Sequence, residues 1–272
     1  MAKYKKKRAR ELQHDRFRDT ANTLLDSLGN RLEGKGKAIL YGLVGVVLVG
    51  ILVGVWVKWH NRKADEAKRA LGRGIAIAST ALSTGGPGAS DPKAPKFSSQ
   101  QERAQKAIEE FQKVAAKYGD PYRTEARYFI ATNLLYVDRD GGLRELTELT
   151  RSNFPEVATL SKFALAQEKE ADGKYDEAAQ LYAELAAQNS TAVTPDTANL
   201  GLASVYQKQG KKKEAADLLF NIVDAARKAK DKDGAPLPQS AAASAAAEKL
   251  QKLDPDRYAT LTPAFPGGDL PF

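Results

Sequence analysis

The sequence predicts an all-α chain: a single transmembrane helix, then an α-solenoid of about four helical hairpins with a C-terminal capping helix. Three observations predict it. Residues 38–57 read AILYGLVGVVLVGILVGVWV, without a charge. Beyond them, small and apolar residues recur in register at spacings of 35 and then 37 residues. Gly-containing turns separate the helical stretches of that recurrence, as left-handed helix ends require.

Residues 1–37 form a basic N-terminal segment. They hold eleven Lys/Arg against five Asp/Glu, so most of the formal net charge of +8 sits there. Lys3 to Arg10 is a basic cluster expected to be disordered. Phe17, Ala21, Leu24, Leu25, Leu28 and Leu32 then recur at helical spacing and predict an amphipathic helix. Two roles stand open for it: lying on lipid, or docking on a partner. Positive charge before an apolar stretch also serves as a topology signal.

The run 38–57 is long enough, at the helical rise, to span roughly 30 Å of hydrocarbon. Tyr41 stands near one end and Trp56 and Trp59 at the other, where amphipathic rings favour the interface. Charged Lys58 and Arg62 follow directly, with no small-residue cleavage site, so an uncleaved signal anchor is expected. The whole N-terminal charge puts that end in the cytoplasm. Lys58, Arg62, Lys63, Lys68, Arg69 and Arg73 after the span weigh the other way. The expected localisation is a bacterial inner membrane, single-pass, with the C-terminal domain outside the cytoplasm. Gly50 and Gly54 form a GxxxG pair suited to helix dimerisation, although Gly is common in membrane helices.

Residues 58–253 are expected to be the repeat domain. The membrane helix runs on to about residue 82, with Ala64, Ala67, Leu71, Ile75, Ala78 and Leu82 on one face. The Gly/Pro/Ser-rich stretch Ser83–Ser99 predicts a flexible loop. Helices follow near 100–118, 122–138, 143–152, 157–172, 175–189, 195–209 and 212–230. Ala131, Ala166 and Ala203 align, preceded by Ile130, Leu165 and Leu202. Twelve residues later stand Leu143, Ala178 and Ala215, then Thr147, Tyr182 and Leu219, then Thr150, Leu185 and Ile222. Ala107, Phe111 and Val114 match the second half of an earlier copy. Small residues let paired helices close, and the larger ones fill the seam to the next pair. Asp172-Gly173-Lys174 and Gln209-Gly210-Lys211 are the expected turns, with Asp140-Gly141-Gly142 a less regular one. An Ala-rich helix near 240–253 covers the open end. Asp254-Pro255 stops it, and residues 254–272 read as a disordered tail.

Gly173–Leu185 (GKYDEAAQLYAEL) and Leu202–Leu219 (LASVYQKQGKKKEAADLL) resemble the tetratricopeptide repeat (TPR). Arg127, Lys162 and Asn199 stand where that repeat usually carries Trp, and Thr147 replaces its aromatic, so the units are divergent. The order of parts, with His60–Ala78 (HNRKADEAKRALGRGIAIA) as first repeat helix, resembles the YfgM-type ancillary subunits of the Sec translocon. That resemblance implies protein partners: the translocon, exported polypeptides or periplasmic chaperones. It also implies a surface lined by the first helix of each repeat. Its positions are Glu125, Tyr128 and Thr132, then Phe163, Gln167 and Glu170, then Leu200, Ser204 and Gln207. Tyr128, Phe163 and Leu200 have an equal claim as core residues.

Catalytic chemistry finds little support. There is no Cys, and His14 and His60 are the only histidines. No metal motif, Ser–His–Asp set or phosphate loop can be assembled. Glu109/Glu110 and Glu145/Glu148 read as solvated helix faces. No cofactor is expected. The cluster Lys3–Arg10 lacks the aromatic platform of a nucleic-acid site, so nucleic acid is not an expected partner. The expected function is a non-enzymatic, membrane-anchored interaction scaffold for protein translocation or envelope assembly. A cytosol-facing receptor or tether, and an accessory subunit of a larger membrane complex, are the alternatives.

Overall fold

The computed structural model describes residues 62–82 and 97–263. The segments 1–37 and 38–57, with Gly50 and Gly54, lie outside the described residues, as do most of the loop 83–99 and the end of the tail. The chain divides into two compact units, Met1–Ala64 and Asp65–Phe272, and only the second can be described at length. Among the described residues no helix is long and apolar enough to cross a membrane.

Ten helices account for the described fold. They are α1 (62–78), α2 (Gln100–Lys117), α3 (Tyr122–Leu134), α4 (Arg139–Leu149) and α5 (Pro155–Ala171). There follow α6 (Tyr175–Ala186), α7 (Pro195–Lys208), α8 (Lys212–Lys228), α9 (Ala241–Leu253) and α10 (Pro255–Ala259). From α2 onward each packs on its chain neighbour, and the alternate helices α3, α5, α7 and α9 also touch in succession. Consecutive hairpins therefore stack side by side.

Local chemistry sets the ends. Pro155, Pro195 and Pro255 occupy first turns, where a missing N–H costs nothing. Asp138, Thr194, Ser240 and Asp254 cap α4, α7, α9 and α10. Gly173 and Gly210 adopt φ of 73° and 78°. Each closes its helix with the paired backbone bonds of a Schellman turn: Lys174 N–H to Lys169 O and Lys211 N–H to Tyr206 O, both 2.9 Å.

The aligned alanines Ala131, Ala166 and Ala203 are fully buried, as are Ala178 and Ala215. The α4 partners of Ala131 differ from expectation by one residue. Leu143 is only half-buried, and Thr147 is exposed. Gly142, Leu146 and Leu149 are buried instead. The expected turn at Asp140-Gly141-Gly142 is the first turn of α4, which Asp138 caps, and the small residue facing Ala131 comes one position earlier than in the other repeats. A Cβ on Gly142 would lie 2.8 Å from the Ala131 carbonyl oxygen. Here glycine is required because two backbones touch.

A second row of small residues escaped the alignment. Ala126, Ser161 and Ala198 stand five residues before the row alanines, and all three are fully buried.

Three further boundaries depart from expectation. In α1 the buried stripe is Ala67, Ala70, Leu71 and Gly74, while Ile75 is exposed, and the helix ends at residue 78. The loop expected to reach Ser99 stops short of it. Phe97 is buried and bridges to Leu82, and Ser98 and Ser99 form a reciprocal cap with Glu102. The tail expected from residue 254 begins as α10, and Leu261 is buried with Leu219, Ile222 and Leu250. Arg227 clamps this end by donating to the Tyr258 hydroxyl at 3.0 Å.

Candidate binding surface

The alternate helices that touch in succession present one residue after each row alanine: Thr132, Gln167 and Ser204. Between α3 and α5 the surface opens into a notch of about 310 Å³. Tyr128, Thr132 and Asn133 of α3, Leu135 and Tyr136 beyond it, and Ala164, Gln167 and Glu168 of α5 line it. Ala78 at the end of α1 and Arg103 in α2 complete the rim.

Three of the nine expected surface residues, Tyr128, Thr132 and Gln167, meet there. Burial pushes the Tyr128 phenol upward. Its ring lies edge-on to Phe129 at 5.4 Å. The Thr132 hydroxyl and the Asn133 amide both donate to the Phe129 carbonyl, at 3.1 and 2.8 Å. Gln167 is exposed.

The other six are placed elsewhere. Phe163 packs inward, edge-on to the Tyr182 ring at 5.9 Å. Leu200 packs against the last core cluster. Glu170 accepts from the Tyr182 hydroxyl at 3.0 Å and pairs with Lys208 at 3.0 Å. Ser204 accepts from the Lys249 ammonium at 2.9 Å, joining α7 to α9. Gln207 is half-buried. Glu125, on the first turn of α3, is held above the usual carboxylate range by burial and by the Glu156 carboxylate, with Lys68 opposing.

Charges around the notch are already engaged. Arg103 donates to the Thr80 carbonyl at 2.8 Å. Arg139 bridges Glu168 and Asp172, each at 2.7 Å. Arg139 thus faces two carboxylates, while Arg103 meets only a neutral carbonyl.

The positions that lack the expected Trp have a shared purpose. Arg127 pairs with Glu148 at 3.2 Å and with Glu145 at 2.6 Å. Lys162, the next copy, pairs with Glu184 at 2.9 Å. Glu148 and Glu184 occupy matching places, one residue before buried Leu149 and Leu185. In the third copy these positions are Asn199 and Asn221, so an ion pair gives way to neutral amides.

Sequence reasoning missed Asn133, Tyr136, Arg103 and Glu168. Asn133 follows directly on Thr132 and Tyr136 stands four residues after it, a signal that was available. Glu168 likewise follows directly on Gln167, whereas Arg103 comes from α2 and is brought in only by packing.

No family model matches the chain, and no curated protein or solved structure matches it.

Proposed function

We propose that this chain is a membrane-anchored, non-enzymatic scaffold that binds other proteins, with TPR-like hairpins forming a solenoid that α9 caps. The observation that carries the proposal is the succession α3, α5, α7, α9. It lays hydrogen-bonding side chains along one side and leaves a notch unfilled between two hairpins. The sequence supplies the rest: an uncharged run of bilayer length at 38–57 with Lys37 and Lys58 at its ends.

The domain after Lys58 is assigned to the extracytoplasmic face, beside protein translocation or envelope assembly. Protease added to intact spheroplasts tests this. Digestion of the C-terminal domain supports it. Protection there, with digestion only after lysis, moves the domain to the cytosol and favours a receptor or tether. The cluster Lys58, Arg62, Lys63, Lys68, Arg69 and Arg73 is the feature that keeps that second topology in play. Photo-crosslinkers at Tyr128, Thr132 and Gln207 test the scaffold role itself. Protein adducts specific to these sites support it, and their absence argues against it.

A further inference from the structure

The exposed face of α1 carries arginines that the fold leaves without a counter-ion, and we infer that this face docks on anionic lipid headgroups of the bilayer to which the chain is tethered. The inference rests on the membrane-anchored reading and goes beyond it. It holds whichever side of the membrane the domain occupies.

Arg62, Arg69 and Arg73 are exposed and stand seven and then four residues apart. At 3.6 residues per turn those steps put them on one stripe, turned away from buried Ala67, Ala70, Leu71 and Gly74. The fold leaves that side bare: a Cβ on Gly72, also on the exposed side, would meet open space. Other arginines of the domain are matched. Arg127, Arg139 and Arg257 each close on a carboxylate of another helix. The three arginines of α1 close on none among the described residues. Acidic residues of α1 do not offset them. Glu66 pairs with Lys117 of α2 at 3.6 Å, which brings a further cation to the face. Asp65 is the one other acid of the helix and leaves the stripe net positive.

The tether selects the occupant. The uncharged run ends at Val57, so Arg62 lies five residues on and at most about 18 Å from it along the chain. Arg73 is roughly 16 Å further along the helix. Charges in solution are screened over about 8 Å, so all three arginines meet headgroups together only where the stripe runs along the surface. Each would then raise the affinity for an anionic surface about fivefold. Arginine suits the task, because its planar fork pairs with a phosphate through two parallel hydrogen bonds. An acidic soluble protein would meet the same charge without the tether, which holds the lipid surface at high effective concentration.

The test uses the full chain in nanodiscs. The chain has no Cys, so Ala76→Cys places a single fluorophore on the exposed side of α1. The discs are phosphatidylcholine alone, or the same with a third of the lipid replaced by phosphatidylglycerol. Both contain a trace of lipid with a nitroxide quencher on its headgroup. Quenching is expected to be at least about threefold stronger with phosphatidylglycerol. Raising salt from about 50 to 500 mM should remove the difference. R62Q, R69Q and R73Q together should abolish it with melting temperature unchanged, while R62K, R69K and R73K together should keep most of it. A fluorophore at Gln251→Cys on α9 should stay unquenched in both bilayers. Equal quenching in the two bilayers, a triple Gln variant that behaves as wild type, or a Gln251 label quenched as strongly overturns the inference. The anchor reading fails separately. A chain that alkaline carbonate washes off the bilayer takes both readings down. An integrated chain whose α1 label stays remote from the headgroups keeps the anchor, removes only this inference and leaves the stripe to an acidic protein.

Discussion

The junction of α3 with α5 and the junction of α5 with α7 use equivalent positions and reach opposite results. In the second, the α6 residue four after Ala178 is Tyr182. It fits because Gly201 faces it: a Cβ there would lie 2.5 Å from the ring. Its hydroxyl reaches Glu170, and Glu170 holds Lys208. In the first junction the matching residues are Leu146, Ala164 and Leu135. They pack as hydrocarbon and supply no polar link to the surface, and the notch lies beside them. Like charges meet at the first junction, through Glu125 and Glu156. Opposite charges meet at the second. One backbone plan therefore gives an open seam or a locked one, according to three side chains per repeat.

Breaking the locked seam should produce the largest effect. Tyr182→Ala removes a ring that is 2% exposed and should cost about 3–5 kcal/mol, read as the loss in urea-unfolding free energy. Tyr182→Leu combined with Gly201→Ala copies the open junction into the locked one. It should recover about half of that loss, because hydrocarbon again fills the space. Failure to recover would mean that the polar link, and not volume, holds the seam.

Next comes Gly142→Ala. A Cβ there meets backbone on two sides, the Ala131 carbonyl and the Leu135 amide nitrogen at 3.0 Å. Backbone cannot rotate away, so a cost of about 1–3 kcal/mol is expected in the same measurement. The same substitution shows what the sequence could and could not reveal. Helix order and turn sites were legible because periodic apolar residues, Gly and Pro act locally. Gly173 and Gly210 announce left-handed ends by type alone. Gly142 does not, since its need arises from a helix eleven residues upstream. A fixed twelve-residue count consequently selected Leu143, Thr147 and Thr150, while packing selected Gly142, Leu146 and Leu149. The surface was legible in part for a related reason. Tyr128, Thr132 and Gln167 follow from counting along helices, but Phe163 and Leu200 turned inward because their neighbours left room for them. Tyr182, aligned only as a core aromatic, also anchors the polar link, which no spacing rule discloses.

Tyr182→Phe keeps the ring and removes the hydroxyl. The lost bond ends on a carboxylate that Lys208 still holds, so a cost of about 1–2 kcal/mol is expected. Burial first, and the Glu170 carboxylate second, push this phenol far above the ordinary tyrosine range. Accordingly the wild-type ring should show no phenolate absorbance up to about pH 11, as long as the fold persists. Ionisation of Tyr182 at its ordinary pH would show that water reaches the seam.

The smallest effect tests the open junction. Glu125 is raised by burial and by Glu156, so its ionised form is disfavoured in the fold. Below the ordinary carboxylate range both folded and unfolded states hold the proton, and no penalty exists. As pH rises through that range the unfolded chain releases its proton first, and stability falls until the folded carboxyl also ionises. Glu125→Gln should therefore stabilise the chain at pH 7, by less than about 1 kcal/mol because solvent screens the group. The gain should vanish near pH 3.5. Glu184 supplies the opposite sign. The Lys162 ammonium holds its carboxyl below the usual range, so its contribution exists at neutral pH and is lost as pH falls. Glu184→Gln should destabilise at pH 7 and become neutral in acid. Thermal melts of both variants at the two pH values give four differences. If they share one sign, the contrast between a self-repelling seam and ion-paired hairpins does not hold.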